Sequence, residues 1–236
     1  MHGSGFVPFI EPETLTALPG EAGGIWASIP EHMRLGLVAA YKFNDATDEL
    51  GALDLTNNGC TFEAGQDGNA ARFVNTESDT FTHAAFPTSA SWTISARIYG
   101  GPALANADLI EAVDVWPFST WAALYVSGGV WFALAGNGAG SYANATGPAF
   151  VPEQWNHVYA WFDESDNKVR IRVNGGAVAV SAALTGSLHL SGGTTPLSIG
   201  FGPGASAYFF GLMDEVLIYS RALSAQEQDD FAETYF

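Results

Sequence analysis

The sequence predicts an all-β chain: an antiparallel β-sandwich of the jelly-roll kind, with an extended N-terminal arm and a short C-terminal helix. Three observations carry that prediction. Short runs alternate between apolar and polar residues from Leu37 onward, glycine-rich turns separate them, and the strongest helix signal stands near the C-terminal end. At 236 residues the chain is long enough to bury about 70% of its unfolded surface. Its core therefore needs neither a metal nor a disulfide, and the single cysteine, Cys60, excludes an intrachain disulfide framework.

Residues 1–36 form the arm. Pro8, Pro12, Pro19 and Pro30 lie among glycines, and no period of 2 or 3.6 is sustained. Ser28 to Arg34 can make one helical turn, with Ser28 as cap and Pro30 early in it. Disordered linkers have low hydrophobicity, yet this arm is rich in apolar side chains. Phe6, Phe9, Ile10 and Trp26 are therefore expected to dock it, either on its own sandwich or on neighbouring subunits of an oligomeric assembly.

The second unit, residues 37–236, is the sandwich. Strands are expected at 37–43, 70–74, 79–83, 91–98, 109–113, 121–126, 130–135, 155–162, 168–173, 197–200 and 213–219. In Lys168-Val-Arg-Ile-Arg-Val173 the apolar residues face inward and Lys168, Arg170 and Arg172 outward. Asn174-Gly175 and Ser127-Gly-Gly129 are hairpin turns. Ser224-Ala-Gln-Glu227 is a capping box that opens the terminal helix.

Charge narrows the partners. Twenty-five acids against eight bases leave a net charge of −17, which repels phosphate and disfavours nucleic acid and anionic membrane surfaces. No apolar run approaches the ~20 residues of a membrane span. Residues 1–9 lack the basic start of a signal peptide, and no apolar run of that length follows before Glu11, so ordinary Sec export is not expected.

The stretch GLMDEVLIYSRALSAQE, Gly211 to Glu227, resembles the closing signature of laminin-G-like domains, members of the concanavalin A-like lectin and glucanase superfamily. LVAAYKFND (from Leu37), Ala71-Arg-Phe73, Asp79-Thr-Phe81, SWTISA (from Ser91), Gln154-Trp-Asn-His-Val158, VRIRVNG (from Val169) and Leu197-Ser-Ile-Gly200 resemble its other motifs, in the family's order. The resemblance spans 37–227 and leaves only the arm outside. Two departures are Arg97, near where the family often has an aromatic residue, and the unpaired Cys60.

The resemblance implies a choice between binding and catalysis. Retaining glycoside hydrolysis needs two carboxylates about 5 Å apart, and related glucanases place them in Glu-x-Asp-x-x-Glu. Glu111-Ala-Val-Asp114 has the wrong spacing to share a strand face, Glu164-Ser-Asp166 ends in a turn, and Asp214-Glu215 are adjacent. Lyases of this fold need clustered Arg, His and Tyr; Arg170, Arg172, His157 and Tyr159 match no such motif. No catalytic residue is assigned, and the chain is expected not to be an enzyme. His157, beside Trp155 on one strand face, reads as a packed structural histidine.

Calcium is the metal that the resemblance implies. In related modules an acid after the first strand approaches the acid of the closing motif, which here gives Asp45, Asp48 and Asp214 as ligands of a structural ion. The alternative has Asp214 capping a turn while Asp45 and Asp48 are solvated. Glycan recognition stacks a ring on the apolar sugar face and adds oriented hydrogen bonds. Three segments expose aromatics beside polar groups, 114–118, 136–144 and 204–210, and they nominate Trp116, Tyr142 and Tyr208 with Asn137 and Asn144.

The leading expectation is thus a non-catalytic interaction module. The resemblance extends to surface, decoration and tail-adhesion proteins of phage virions, held through residues 1–36 and presenting loops to host or environmental glycans. A virion surface or another extracellular assembly is the expected location. The alternative is a free or cell-associated carbohydrate-binding lectin. A polysaccharide hydrolase or lyase is the reading with the fewest supporting residues.

Overall fold

A computed structural model describes residues 29–74, 79–102, 104–202 and 208–235. The arm residues Phe6, Phe9, Ile10 and Trp26 lie outside the described residues.

Two antiparallel sheets pack face to face. The eight-stranded sheet runs β13 (Ala179–Val180), β12 (Lys168–Val173), β11 (Trp155–Asp163), β6 (Trp92–Gly100), β15 (Gly211–Tyr219), β4 (Asn69–Phe73) and β3 (Thr61–Ala64), and β1 (Leu37–Tyr41) also pairs with β15. Residues 211–213 of β15 pair with β4 and residues 216–219 with β1, so two short strands share one edge of the closing strand. The seven-stranded sheet runs β10 (Tyr142–Ala149), β9 (Val130–Gly136), β8 (Ser119–Ser127), β7 (Ala107–Val115), β14 (Thr194–Ile199), β5 (Phe81–Pro87) and β2 (Thr56–Asn57). This is the sandwich that the alternation predicts.

Four strands escape the sequence pattern: β2, β3, β10 and β13. β10 reads as a loop because Gly147 and Pro148 interrupt it. It is an edge strand, where proline removes no ladder bond. Its inward residues Ala143 and Ala145 are too small to announce a buried face.

The core between the sheets is aromatic. Trp92, Trp121, Trp131, Phe73, Phe81, Phe86 and Phe162 are almost fully buried there, each removing about 1.5–3 kcal/mol of apolar surface from water. β12 alternates as expected, with Val169, Ile171 and Val173 buried and the three bases half-buried. β6 does not: Thr93, Ser95 and Arg97 are buried as well as the apolar set.

The reason is a second apolar cluster over part of the outer face of the eight-stranded sheet. Ile29 and Met33 of the segment around α1 (Glu31–Arg34) pack with Ala40, Tyr159, Trp161, Leu217, Tyr219 and Leu223. Thr93 Oγ1 donates to Arg221 O at 2.8 Å and accepts from Leu223 N at 3.1 Å. Residues 29–36 of the arm thus pack on their own domain.

The capping box forms as read. Glu227 N donates to Ser224 Oγ at 3.3 Å and Ser224 N to Glu227 Oε2 at 2.8 Å, opening α2 (Ala225–Tyr235). Arg221 clamps the same carboxylate with both guanidinium nitrogens, and that contact holds Glu227 down at about 2. Among the described residues no helix is long and apolar enough to cross a membrane.

Candidate functional site

The outer face of the seven-stranded sheet is built by a register shift. β7 bulges between Asp108 and Ile110, so Leu109 and Ile110 both enter the core. A bulge adds one residue and inverts the parity of everything beyond it. Asp108 stands opposite Tyr125 and Glu111 opposite Ala123. Cross-strand partners share a face, so Asp-Leu-Ile-Glu places two carboxylates on the outer side. Strict alternation along 108–111 would separate them, which is why the spacing argument passed over this pair. Each is only 1% exposed.

Tyr125 is the centre of this face. Its ring stacks on Phe132 (centroids 5.2 Å, planes 13° apart) and meets Trp116 edge-on at 5.5 Å. Its oxygen accepts a hydrogen bond from Asn144 Nδ2 at 2.9 Å. The phenol therefore keeps its own proton to donate, while Asn144 Oδ1 is buried and has no hydrogen-bond partner among the described residues. Burial pushes the phenol up to about 12; the Asn144 bond opposes the shift, and the charges of Glu111 and Asp108 contribute to it. Of the nominated residues, Trp116 and Asn144 are brought together here. The residue that joins them, Tyr125, was legible only as part of a strand. Its parity with Ala123, against the core-facing Ala122, Leu124 and Val126, was the available signal.

The rim continues the face. Tyr142 opens β10, is 48% exposed and lies 5.9 Å from the Phe118 ring. The turn 114–118 abuts the loop 136–141 through Gly138 N, which donates to Phe118 O at 2.7 Å. A β-carbon on Gly136 would come within 2.1 Å of Phe118 O, so only glycine permits this approach. Asn137 is consumed by the loop itself: Oδ1 accepts from Ala139 N and Ser141 N, and Nδ2 donates to Thr185 O. It orders the rim instead of offering a free group to a ligand.

Asp114 ties the turn to the segment before β14. It accepts from Ser191 Oγ, from His189 Nε2 at 3.1 Å and from Thr195 Oγ1 at 3.2 Å. Burial works against its charge, but these bonds outweigh it and hold the carboxyl below its ordinary range. Serine and histidine here both bond the aspartate and not each other, so the histidine is not placed to activate the serine.

Tyr208 stacks on Phe201 at 4.5 Å, across the loop closed by Phe209 N on Gly200 O. Gly202 lies against the Glu111 carboxylate, leaving no room for a side chain. The pair therefore borders the acidic side of the face.

The three acids expected around calcium are placed otherwise. Asp48 is buried, not solvated, and accepts from the backbone N–H groups of Ala40, Leu50, Ala52 and Leu53. Asp214 Oδ2 accepts from Gln66 N and Asp67 N, which caps the β3–β4 turn. Asp45 is exposed and bonds Thr47. Among the described residues no three His, Cys, Asp or Glu side chains form a group able to hold a metal. Asp214 Oδ1 is buried with no hydrogen-bond partner among the described residues.

The outer face of the other sheet holds a buried polar group of its own. Arg97 Nε meets Glu215 Oε2 at 2.7 Å, and Ser95 Oγ lies 2.9 Å from His157 Nε2. Arg170 pairs with Asp166, and Arg172 with Asp229 of α2 at 2.6 Å. These contacts lock segments together, and no cluster of Arg, His and Tyr opens to solvent from them: His157, Tyr159 and Arg97 are all buried.

Residues 69–227 match the family model Laminin_G_3, described as the concanavalin A-like lectin/glucanases superfamily. No curated protein matches by sequence. Among solved structures, the chain is similar to domain 4 of AbnA, a GH43 extracellular arabinanase from Geobacillus stearothermophilus solved in complex with arabinotriose; identity is 20%, coverage 83% of this chain and 98% of that one, and TM-score 0.60. It is also similar to the binding domain of Paraclostridial Mosquitocidal Protein 1, at 15% identity, covering 86% of this chain and 53% of that one with TM-score 0.64. A third likeness is to Trypanosoma rangeli sialidase, at 13% identity, 86% and 33% coverage and TM-score 0.62. The chain thus spans about half of the mosquitocidal binding domain and a third of the sialidase. At these identities the likeness shows the fold.

Proposed function

The chain belongs to the concanavalin A-like lectin/glucanases superfamily, and from that premise we propose that it is a non-catalytic module that binds glycans on the outer face of its seven-stranded sheet. The observation that carries this reading is the Tyr125–Asn144 pair. The half-buried Tyr125 phenol, its oxygen held by Asn144 Nδ2 and its proton left to donate, lies against the rings of Trp116 and Phe132. Aromatic surface beside an oriented hydrogen-bonding group is what sugar recognition requires. The arabinotriose held by the AbnA domain is a further support, at the level of the fold.

The non-catalytic half of the reading is supported by burial. A general acid or nucleophile must touch its substrate, and Asp108 and Glu111 are each 1% exposed. The apolar composition of residues 1–36 supports attachment to other subunits of a larger assembly, a virion surface among them. The module is expected to work without calcium, since Asp48 and Asp214 already accept backbone N–H groups.

Titration calorimetry against oligosaccharides tests the binding face. Trp116→Ala and Asn144→Ala are each expected to weaken binding by about tenfold or more, with an unchanged circular dichroism spectrum. Affinity that survives both substitutions would remove the face from the proposal. Release of reducing ends from any bound polysaccharide would remove the non-catalytic half.

A further inference from the structure

We infer that the glycan accepted by this face carries no anionic groups, so that sialylated, uronic and sulfated chains are excluded while neutral chains are read through their hydroxyls and apolar ring faces. The inference rests on the proposed binding face and adds the ligand's charge class to it.

It follows from where the bases stand. The chain has eight Lys and Arg residues, and every one is on the eight-stranded sheet or its flanks: Arg34 in α1, Lys42 after β1, Arg72 in β4, Arg97 in β6, Lys168, Arg170 and Arg172 in β12, and Arg221 after β15. None is on any strand or connecting loop of the seven-stranded sheet between Gly101 and Gln154, or between Ser187 and Phe210. Six of the eight are in ion pairs with acids: Lys42 with Asp67, Arg72 with Glu63, Arg97 with Glu215, Arg170 with Asp166, Arg172 with Asp229 and Arg221 with Glu227. β12 points its three bases to the outer side of the eight-stranded sheet, away from the binding face.

The binding face carries the opposite sign. Asp108 and Glu111 lie under Tyr125, and Asp114 stands at the rim. Among the described residues the bases on this side are His83 in β5 and His189, and His189 is bonded to Asp114. A carboxylate or sulfate ester brought onto the face would be desolvated beside like charges and find no guanidinium or ammonium to accept it. Neutral hydroxyls meet no such penalty and match the Tyr125 hydroxyl.

The test is a panel of neutral arabino-, gluco- and galacto-oligosaccharides, each set beside a counterpart of similar length bearing uronate, sialyl or sulfate groups, titrated into the full chain. The expected result is binding within the neutral set, at least about tenfold weaker binding of each anionic counterpart, and a gap that narrows as salt is raised. Thr146→Lys, on the exposed β10 position opposite Phe132, is expected to raise affinity for the anionic counterpart severalfold and leave the neutral one within twofold. An anionic chain that binds as well as its neutral counterpart, and loses affinity in Trp116→Ala, overturns the inference while leaving the binding face standing. A panel in which nothing binds overturns the binding face itself, and the inference with it.

Discussion

Burial beside the same guanidinium shifts His157 and Glu215 in opposite directions. Burial, reinforced by the charge of Arg97, pulls His157 from 6.5 down to about 3. Burial pushes Glu215 from 4.5 up to about 6, with Arg97 resisting. Between pH 6.5 and 3 the unfolded chain binds a proton that folded His157 refuses, so acidification removes stability. Between pH 6 and 4.5 folded Glu215 takes a proton that its unfolded counterpart refuses, so acidification adds stability. The two contributions oppose each other across that window. The melting temperature of the native chain is therefore expected to fall between those of the two single variants in its response to pH from 6 to 4.5. His157→Gln, which keeps a hydrogen-bonding partner for Ser95, should make it rise on acidification, and Glu215→Gln should make it fall. Three parallel curves by calorimetry would refute the coupling.

At the scale of elements, the proposed binding face depends on two local departures from regular strand geometry. The β7 bulge turns Asp108 and Glu111 to one side, and the close approach at Gly136 presses the 114–118 turn onto the rim loop. Gly136→Ala would force a methyl to within 2.1 Å of Phe118 O. The strand cannot yield without displacing the turn, so the expected cost is about 1–3 kcal/mol, seen as a lower melting temperature by thermal denaturation. Because that turn carries Trp116, glycan affinity should fall in the same variant, although Gly136 itself offers a ligand nothing. A stable Gly136→Ala protein with native affinity would show that the turn is positioned by other contacts, the Asp114 bonds to His189, Ser191 and Thr195 first among them.

The molecule as a whole carries a net charge of −17, and its lysines and arginines are confined to one sheet and its flanks. Self-repulsion of that size disfavours the compact state and is screened within a Debye length of about 8 Å at physiological salt. Raising sodium chloride from low concentration to about 0.5 M is expected to raise the melting temperature by a few degrees. Calcium serves as the sharper probe. If Asp48 and Asp214 are held by backbone amides as described, millimolar calcium should stabilise no more than sodium chloride of equal ionic strength. A specific calcium increment, abolished by Asp214→Asn, would assign a structural ion to Asp214 instead.

Much of this was written locally in the chain. Two-residue periodicity, glycine turns and the Ser224–Glu227 capping box are short-range signals, and each strand had to bury one face whatever its neighbours were, so the sandwich and the terminal helix followed from the sequence alone. The position of Tyr142 as an exposed ring beside a turn was legible for the same reason, whereas Trp116 is half-buried. What the sequence could not contain was parity and partnership. One extra residue in β7 reverses which acids share a face, and no periodicity marks where a bulge falls. The meeting of Trp116, Tyr125 and Asn144, and the segregation of every lysine and arginine onto one sheet and its flanks, exist only once strand order is set by contacts between residues far apart in the chain.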